Sequence, residues 1–124
     1  MKTKELNHVA IHVTDVERSV DFYQNVLGFE PMQRPAFDFP GAWFRLGTTQ
    51  ELHIIGQRDE SETVTAAPRG NHFALEVDDI KETEDFLINQ GITNIIGPKE
   101  RPGNAWQIFI HDPDGHCIEF TEIL

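Results

Sequence analysis

Asn7-His8-Val9-Ala10-Ile11-His12-Val13-Thr14-Asp15-Val16 returns, at an offset of 64, as Asn71-His72-Phe73-Ala74-Leu75-Glu76-Val77-Asp78-Asp79-Ile80. The same offset carries Asp21, Phe22 and Asn25 onto Asp85, Phe86 and Asn89, so 8 of 19 positions coincide between 7–25 and 71–89. Unrelated segments of ordinary composition would share roughly one or two. A repeat of that length fixes the architecture, and it makes the chain two copies of one unit. The 124 residues amount to about one domain, long enough to bury a core. The two units, about 5–57 and 69–124, are therefore expected to be halves of a single domain, 1–124.

Working outward from the repeat, Leu6 to Val13 alternates as a strand does. Val9, Ile11 and Val13 share the face that packs on helices. His8, Ala10 and His12 share the other, where small and titratable groups suit a cavity better than a core. Thr14 and Glu17 have capping-box spacing, which predicts a helix with Val16, Val20, Tyr23 and Leu27 as its buried stripe and Gly28 as its C-cap. A short strand at Phe29 to Arg34 precedes a Pro/Phe-rich loop, 35–41. Ala42 to Leu46 and Glu51 to Gly56 form a hairpin about Gly47. The polar segment Gln57 to Arg69 connects the units.

The second unit repeats the plan: a strand at Asn71 to Val77, a helix capped by Asp78 and ending at Gly91, and a short strand at Ile92 to Ile96. A loop follows, running from Gly97-Pro98 to Pro102-Gly103. Strands Ala105 to His111 and His116 to Glu122 then turn about Asp112-Pro113-Asp114-Gly115, a strong turn signal. Each unit reads β-α-β-β-β, and the fold class is α+β.

Composition narrows the function. A net charge of −11, from 21 acidic against 10 basic residues, opposes non-specific binding to nucleic acid or to anionic membranes. A single cysteine, Cys117, excludes an intrachain disulfide framework. No apolar run approaches the ~18–20 residues of a membrane span. The start, Met1-Lys2-Thr3-Lys4-Glu5, leads into a strand with no apolar signal region, so a cytoplasmic location is expected.

The closing strands align at an offset of 66, which sets Leu52-His53-Ile54 against Ile118-Glu119-Phe120. Alternation turns His53 and Glu119 away from the helices, as it does His8 and His72. Three imidazoles and a carboxylate are a metal-binding set suited to Zn, Ni, Co, Mn or Fe(II), and poorly suited to Mg or Ca. The competing reading of each histidine alone is a hydrogen-bonded structural residue. It weakens for His8 and His72, which occupy the same place in their own units. Glu51 shares the face of His53 and is the alternative to it. His12, about 6–7 Å along the strand from His8, faces substrate or backs the ligands. Cys117 reads as a small buried residue rather than a thiolate ligand. Trp43 and Arg45 share the cavity side of their strand, and Arg45 corresponds to His111, with Phe109 two residues earlier on the same face. Trp43, Arg45, Phe109 and His111 are thus the candidate substrate contacts, Arg45 as a bidentate carboxylate binder or else as an ordinary surface arginine. Phe37 and Phe39 could cover an apolar substrate group or form a dimer contact.

Leu-Asn-His-Val-Ala-Ile, Ser-Val-Asp-Phe-Tyr and Val-Leu-Gly-Phe-Glu in the first unit resemble the vicinal oxygen chelate superfamily. So do Asn-His-Phe-Ala-Leu-Glu-Val-Asp-Asp-Ile and the closing Asp-Pro-Asp-Gly-His-Cys-Ile-Glu-Phe. The resemblance covers nearly the whole chain. It implies two tandem βαβββ modules whose mixed sheets curl into a half-open barrel around a cavity. It further implies one divalent metal ion held at the positions of His8, His53, His72 and Glu119, and two chains paired as a homodimer. Within the superfamily, glyoxalase I usually carries glutamate at the place of His53, and methylmalonyl-CoA epimerase glutamine. Extradiol dioxygenases and fosfomycin-resistance proteins use two histidines and one glutamate, matching His8, His72 and Glu119. Bleomycin-binding proteins lack the ligands.

The resemblance implies a glyoxalase-type lyase or isomerase. A Lewis acid would stabilise the enediolate or oxyanion of a small substrate with adjacent oxygens, and Glu119 would shuttle the proton. The alternatives are an Fe(II) extradiol-type dioxygenase, a fosfomycin-resistance-like thiol transferase, and a non-catalytic protein that sequesters a drug.

Overall fold

The computed structural model describes residues 1–59 and 66–124, so the middle of the connector expected over 57–69 lies outside the described residues. The chain divides into two compact units, Met1–Glu62 and Thr63–Leu124. The first contains β1 (His8–His12), α1 (Val16–Val20), β2 (Glu30–Met32), β3 (Gly41–Leu46) and β4 (Gln50–Ile55). The second contains β5 (His72–Glu76), α2 (Ile80–Asn89), β6 (Ile96–Arg101), β7 (Ala105–His111) and β8 (Cys117–Ile123). Their sheets have matching strand orders, β1-β4-β3-β2 and β5-β8-β7-β6. In each, the first strand lies parallel to the last and the remaining pairs are antiparallel. The fold is α+β, two tandem βαβββ modules with open four-stranded sheets.

Helix starts obey the repeat, one residue later than the capping-box spacing predicts. The carboxylates of Asp15 and Asp79 accept from the backbone N–H of Arg18 and Glu82, at 3.1 and 2.9 Å. Both aspartates sit in extended backbone, where a short side chain reaches the third N–H of the helix. Thr14 instead accepts from the Arg18 guanidinium. α1 passes directly into a π-helical stretch, Asp21–Val26, with Leu27 N–H bonded to the Phe22 carbonyl at 2.9 Å. Gly28 ends this helical segment at φ +78, a left-handed conformation that a Cβ would disfavour.

Packing follows the alternation. Ile11, Val13, Phe44, Leu52 and Ile54 are buried on the helix side of the first sheet, against Tyr23 and Leu27. Ile108, Ile110, Ile118 and Phe120 are their counterparts in the second, with Ile80 and Leu87 from α2. Each large side chain so buried contributes about 1.5–3 kcal/mol. The predicted stripe holds for Tyr23 and Leu27, whereas Val16 and Val20 are half-buried and Ser19 takes a fully buried place.

One element differs from its expectation. The strand expected over Ile92 to Ile96 only begins at Ile96 and continues through the supposed loop to Arg101. Proline and glycine discourage a strand reading. Here Pro98 is tolerated because β6 is the edge of its sheet. The pairing with β7 shifts register between Ile96 and Lys99. Gly97 occupies the shift at φ +101, where a Cβ would stand 2.5 Å from the Gln107 carbonyl oxygen, so only glycine fits. Lys99 then lies opposite Gln107 and Arg101 opposite Ala105. Among the described residues, no helix is long and apolar enough to cross a membrane.

Candidate functional site

In the second unit, β8 carries Glu119 between Ala74 of β5 and Phe109 of β7. Its carboxyl is buried and shared between two neighbours. Gln107 Nε2 donates to Oε1 at 2.9 Å, and His72 Nε2 stands 3.0 Å from Oε2. The other ring nitrogen of His72, Nδ1, lies 3.1 Å from the Gly70 carbonyl oxygen. A carbonyl only accepts, so Nδ1 carries the proton; Nε2 faces Glu119 as a charged donor if the ring holds a second proton, and as a lone pair if it does not. A proton or a cation between them therefore accounts equally for the 3.0 Å contact. Donors bound at about 2.0–2.2 Å to one divalent ion stand roughly 3 Å apart, the spacing of this pair. The donor chemistry of His72 and Glu119 would fit a divalent ion. Phe109 meets the His72 ring edge-on, centroids 5.7 Å apart, and limits its rotation.

In the first unit, His8 Nδ1 is bonded to Asn7 Oδ1 at 2.8 Å, which leaves Nε2 for a ligand. His53 is differently placed. Its ring is stacked between Trp43, at 3.9 Å, and His8, at 4.1 Å, and its Nε2 meets Glu51 Oε1 at 2.9 Å. An imidazole lone pair lies in the ring plane. The His8 and His53 planes are stacked and only 13° from parallel, so their lone pairs do not meet at one ion in this arrangement. Glu51, the alternative carboxylate, bridges His53 and Arg45, whose Nη1 is 3.6 Å away. Within either unit, among the described residues, no three His, Cys, Asp or Glu side chains close a metal site by themselves.

The remaining candidates are distributed as follows. Trp43 and Phe109 occupy equivalent places, directly opposite His53 and Glu119. His111 Nε2 donates to the Ala66 carbonyl at 2.7 Å and so ties down the chain before β5. His12 Nε2 does the same to Gly56 at 2.8 Å. Phe37 and Phe39 stack on each other at 5.1 Å with the Arg34 guanidinium 4.8 Å from both rings, and Phe37 approaches Trp43 at 6.1 Å. Cys117 is buried, and that burial, followed by the Glu119 charge, pushes its thiol above the ordinary value of 9.0. It remains a thiol near neutral pH.

A cavity of about 450 Å³ opens beside the second pair, lined by His72, Glu119, Gln107, Phe109, Lys99 and Arg101 among others. Gln107 was legible, since alternation from Phe109 and His111 puts it on their face. Lys99 and Arg101 were not, because their segment reads as a loop.

A family model described as Glyoxalase/Bleomycin resistance protein/Dioxygenase superfamily matches residues 5–120. The chain is 36% identical over 118 residues to Glyoxylase I 4 of Arabidopsis thaliana, covering 92% of this chain and 68% of that one. It is 32% identical over 132 aligned positions to a lactoylglutathione lyase of Neisseria meningitidis, covering 94% and 89%. A solved structure from Bacillus anthracis, provisionally assigned to the glyoxalase family, superposes with a TM-score of 0.84 at 29% identity, covering 100% and 98%.

Proposed function

This chain belongs to the glyoxalase/bleomycin resistance protein/dioxygenase superfamily, and on that premise we propose that it is a divalent-metal-dependent lyase or isomerase of the glyoxalase type acting on a small molecule with adjacent oxygens. The observation that carries the reading is the meeting of His72 Nε2 and Glu119 Oε2 at 3.0 Å, a nitrogen and a carboxylate oxygen spaced as two donors to one divalent ion are. His72 and Glu119 supply one half of the ligand set. His8 supplies the other, from the same chain or from a second copy in a homodimer, and His53 joins it only if its ring turns off Trp43.

A bound Zn, Ni, Co, Mn or Fe(II) ion supplies Lewis-acid stabilisation of negative charge on substrate oxygens. The chain supplies the rest. Gln107 fixes Oε1 of Glu119, so that Oε2 is the atom left to ligate and to take and return the substrate proton. Phe109, beside His72 and Glu119, gives a flat apolar wall on which a substrate body can lie. The net charge of −11 disfavours nucleic acid and anionic membrane as partners, and a cytoplasmic location remains part of the proposal.

A second reading draws on the His53 sandwich. With His53 held by Trp43 and Glu51, the set is two histidines and one carboxylate, which also serves an Fe(II) dioxygenase or a metal-dependent thiol transferase. Metal analysis of the full chain, reconstituted with each ion, combined with turnover of the methylglyoxal–glutathione hemithioacetal, catechol and fosfomycin separates these. The glyoxalase reading expects isomerisation of the hemithioacetal that is lost in His72→Ala and Glu119→Ala. Saturable ligand binding with no turnover and no bound ion after reconstitution would replace it with a sequestering protein.

A further inference from the structure

The cavity of the second unit is cationic at one end, which is unexpected in a chain of net charge −11. Its lining includes Arg69, Lys99 and Arg101, and the acids in that lining are Glu100 and Glu119. Glu119 is already committed to Gln107 and His72. Glu100 lies opposite Trp106, one position out of phase with Lys99 and Arg101. Lys99 is paired in register with Gln107, so its side chain rises from the sheet face that carries Gln107, Phe109 and Glu119. Its Nζ is 5.2 Å from the centre of the Phe109 ring, and the His72 ring centre is 5.7 Å from the same point. One aromatic ring therefore touches both an ammonium and the histidine of the His72–Glu119 pair. Arg101 Nη1 is anchored to the Pro102 carbonyl at 2.9 Å, which holds the guanidinium at the cavity while leaving its other nitrogens to donate. Arg45, the arginine that the sequence suggests as a carboxylate binder, instead faces Glu51 in the other unit.

We propose that Lys99 and Arg101, with Arg69 at the rim, form an oxyanion subsite that selects substrates carrying a carboxylate or phosphoryl tail. An apolar spacer of the substrate lies across Phe109, and the tail sits at the part of the cavity lined by Lys99 and Arg101. The inference rests on the reading of this cavity as the substrate site and adds to it the charge and layout of the substrate. A neutral molecule of equal size leaves two cations in the cavity unpaired. A dianion gains charge-assisted hydrogen bonds from both.

The test is an amide NMR titration of the full-length, metal-free chain with succinate, with inorganic phosphate and with butane-1,4-diol, each at fixed ionic strength. Saturable shifts at Lys99, Arg101, Gln107 and Phe109 with either anion, absent with the diol, are expected. Succinate saturating first indicates a carboxylate tail, and phosphate saturating first a phosphoryl one. Lys99→Gln/Arg101→Gln should weaken that binding at least tenfold, and Lys99→Arg/Arg101→Lys should retain most of it, which excludes misfolding as the cause. An equal response to the diol, non-saturating shifts, or unchanged affinity in the double glutamine variant would overturn the subsite. Because the titration uses no metal and reads no turnover, its failure leaves the metal reading standing, and failure of metal binding leaves this result interpretable.

Discussion

Trp43 and His53 lie face to face across β3 and β4, ring centroids 3.9 Å apart and planes 1° from parallel. They are directly opposed residues of an antiparallel pair, the arrangement in which flat side chains stack. The stack and the 2.9 Å contact to Glu51 together fix the His53 ring. If the His53 ring keeps this position it stays out of the proposed ligand set, and its removal should be mild for the metal. His53→Gln is expected to keep divalent-ion affinity within about tenfold of the parent, the lower end of what supporting residues cost. His72→Ala should lose more than about 100-fold. Competition with a chromophoric chelator measures both, and equal losses would put His53 among the ligands.

Gln107 offers a complementary check on Glu119. With Gln107 replaced by leucine, similar in size and unable to donate, Oε1 of a buried carboxylate loses the hydrogen bond from Gln107 Nε2. Metal affinity should fall about 10–100-fold, the range for groups that orient a ligand. The fold should persist, because Gln107 is half-buried and outside the apolar core. Unchanged affinity would mean that Glu119 orients itself.

The helix caps allow a discriminating stability experiment. Asp79→Ala removes the acceptor for Glu82 N–H and should cost about 1 kcal/mol in urea unfolding. Asp78→Ala, at the position that spacing alone suggests, should change stability by less than about 0.5 kcal/mol. Asp15→Ala is expected to behave as Asp79→Ala does, since the two caps are repeat-equivalent.

Cys117 supplies a pH dependence. Burial first, and the Glu119 charge second, raise its thiol above 9.0 in the folded chain. An unfolded chain ionises its thiol sooner. Above the ordinary value the folded state holds more protons than the unfolded one, and stability falls as pH rises. The metal-free protein should therefore lose stability from about pH 9 upward. Cys117→Ala should flatten that limb while leaving the neutral region offset by a constant cavity cost. Urea midpoints between pH 7 and 10.5 give the comparison, and parallel curves would remove Cys117 as the cause.

What the chain declares by itself is periodic. The 64-residue offset between His8 and His72, the alternation about them, and the turn glycines determine two βαβββ units and the sheet face on which His8, His53, His72 and Glu119 stand. These are local properties, set by strand period and by backbone conformations that few residues tolerate. Which partner each polar atom finds is not local. Trp43 over His53, Gln107 on Glu119 and Arg45 on Glu51 arise from pairing between strands, whose register depends on packing of the whole sheet. Lys99 and Arg101 joined the cavity because an edge position tolerated Pro98 and a left-handed Gly97 fitted against β7. Local preference opposed a strand there, and tertiary pairing outweighed it.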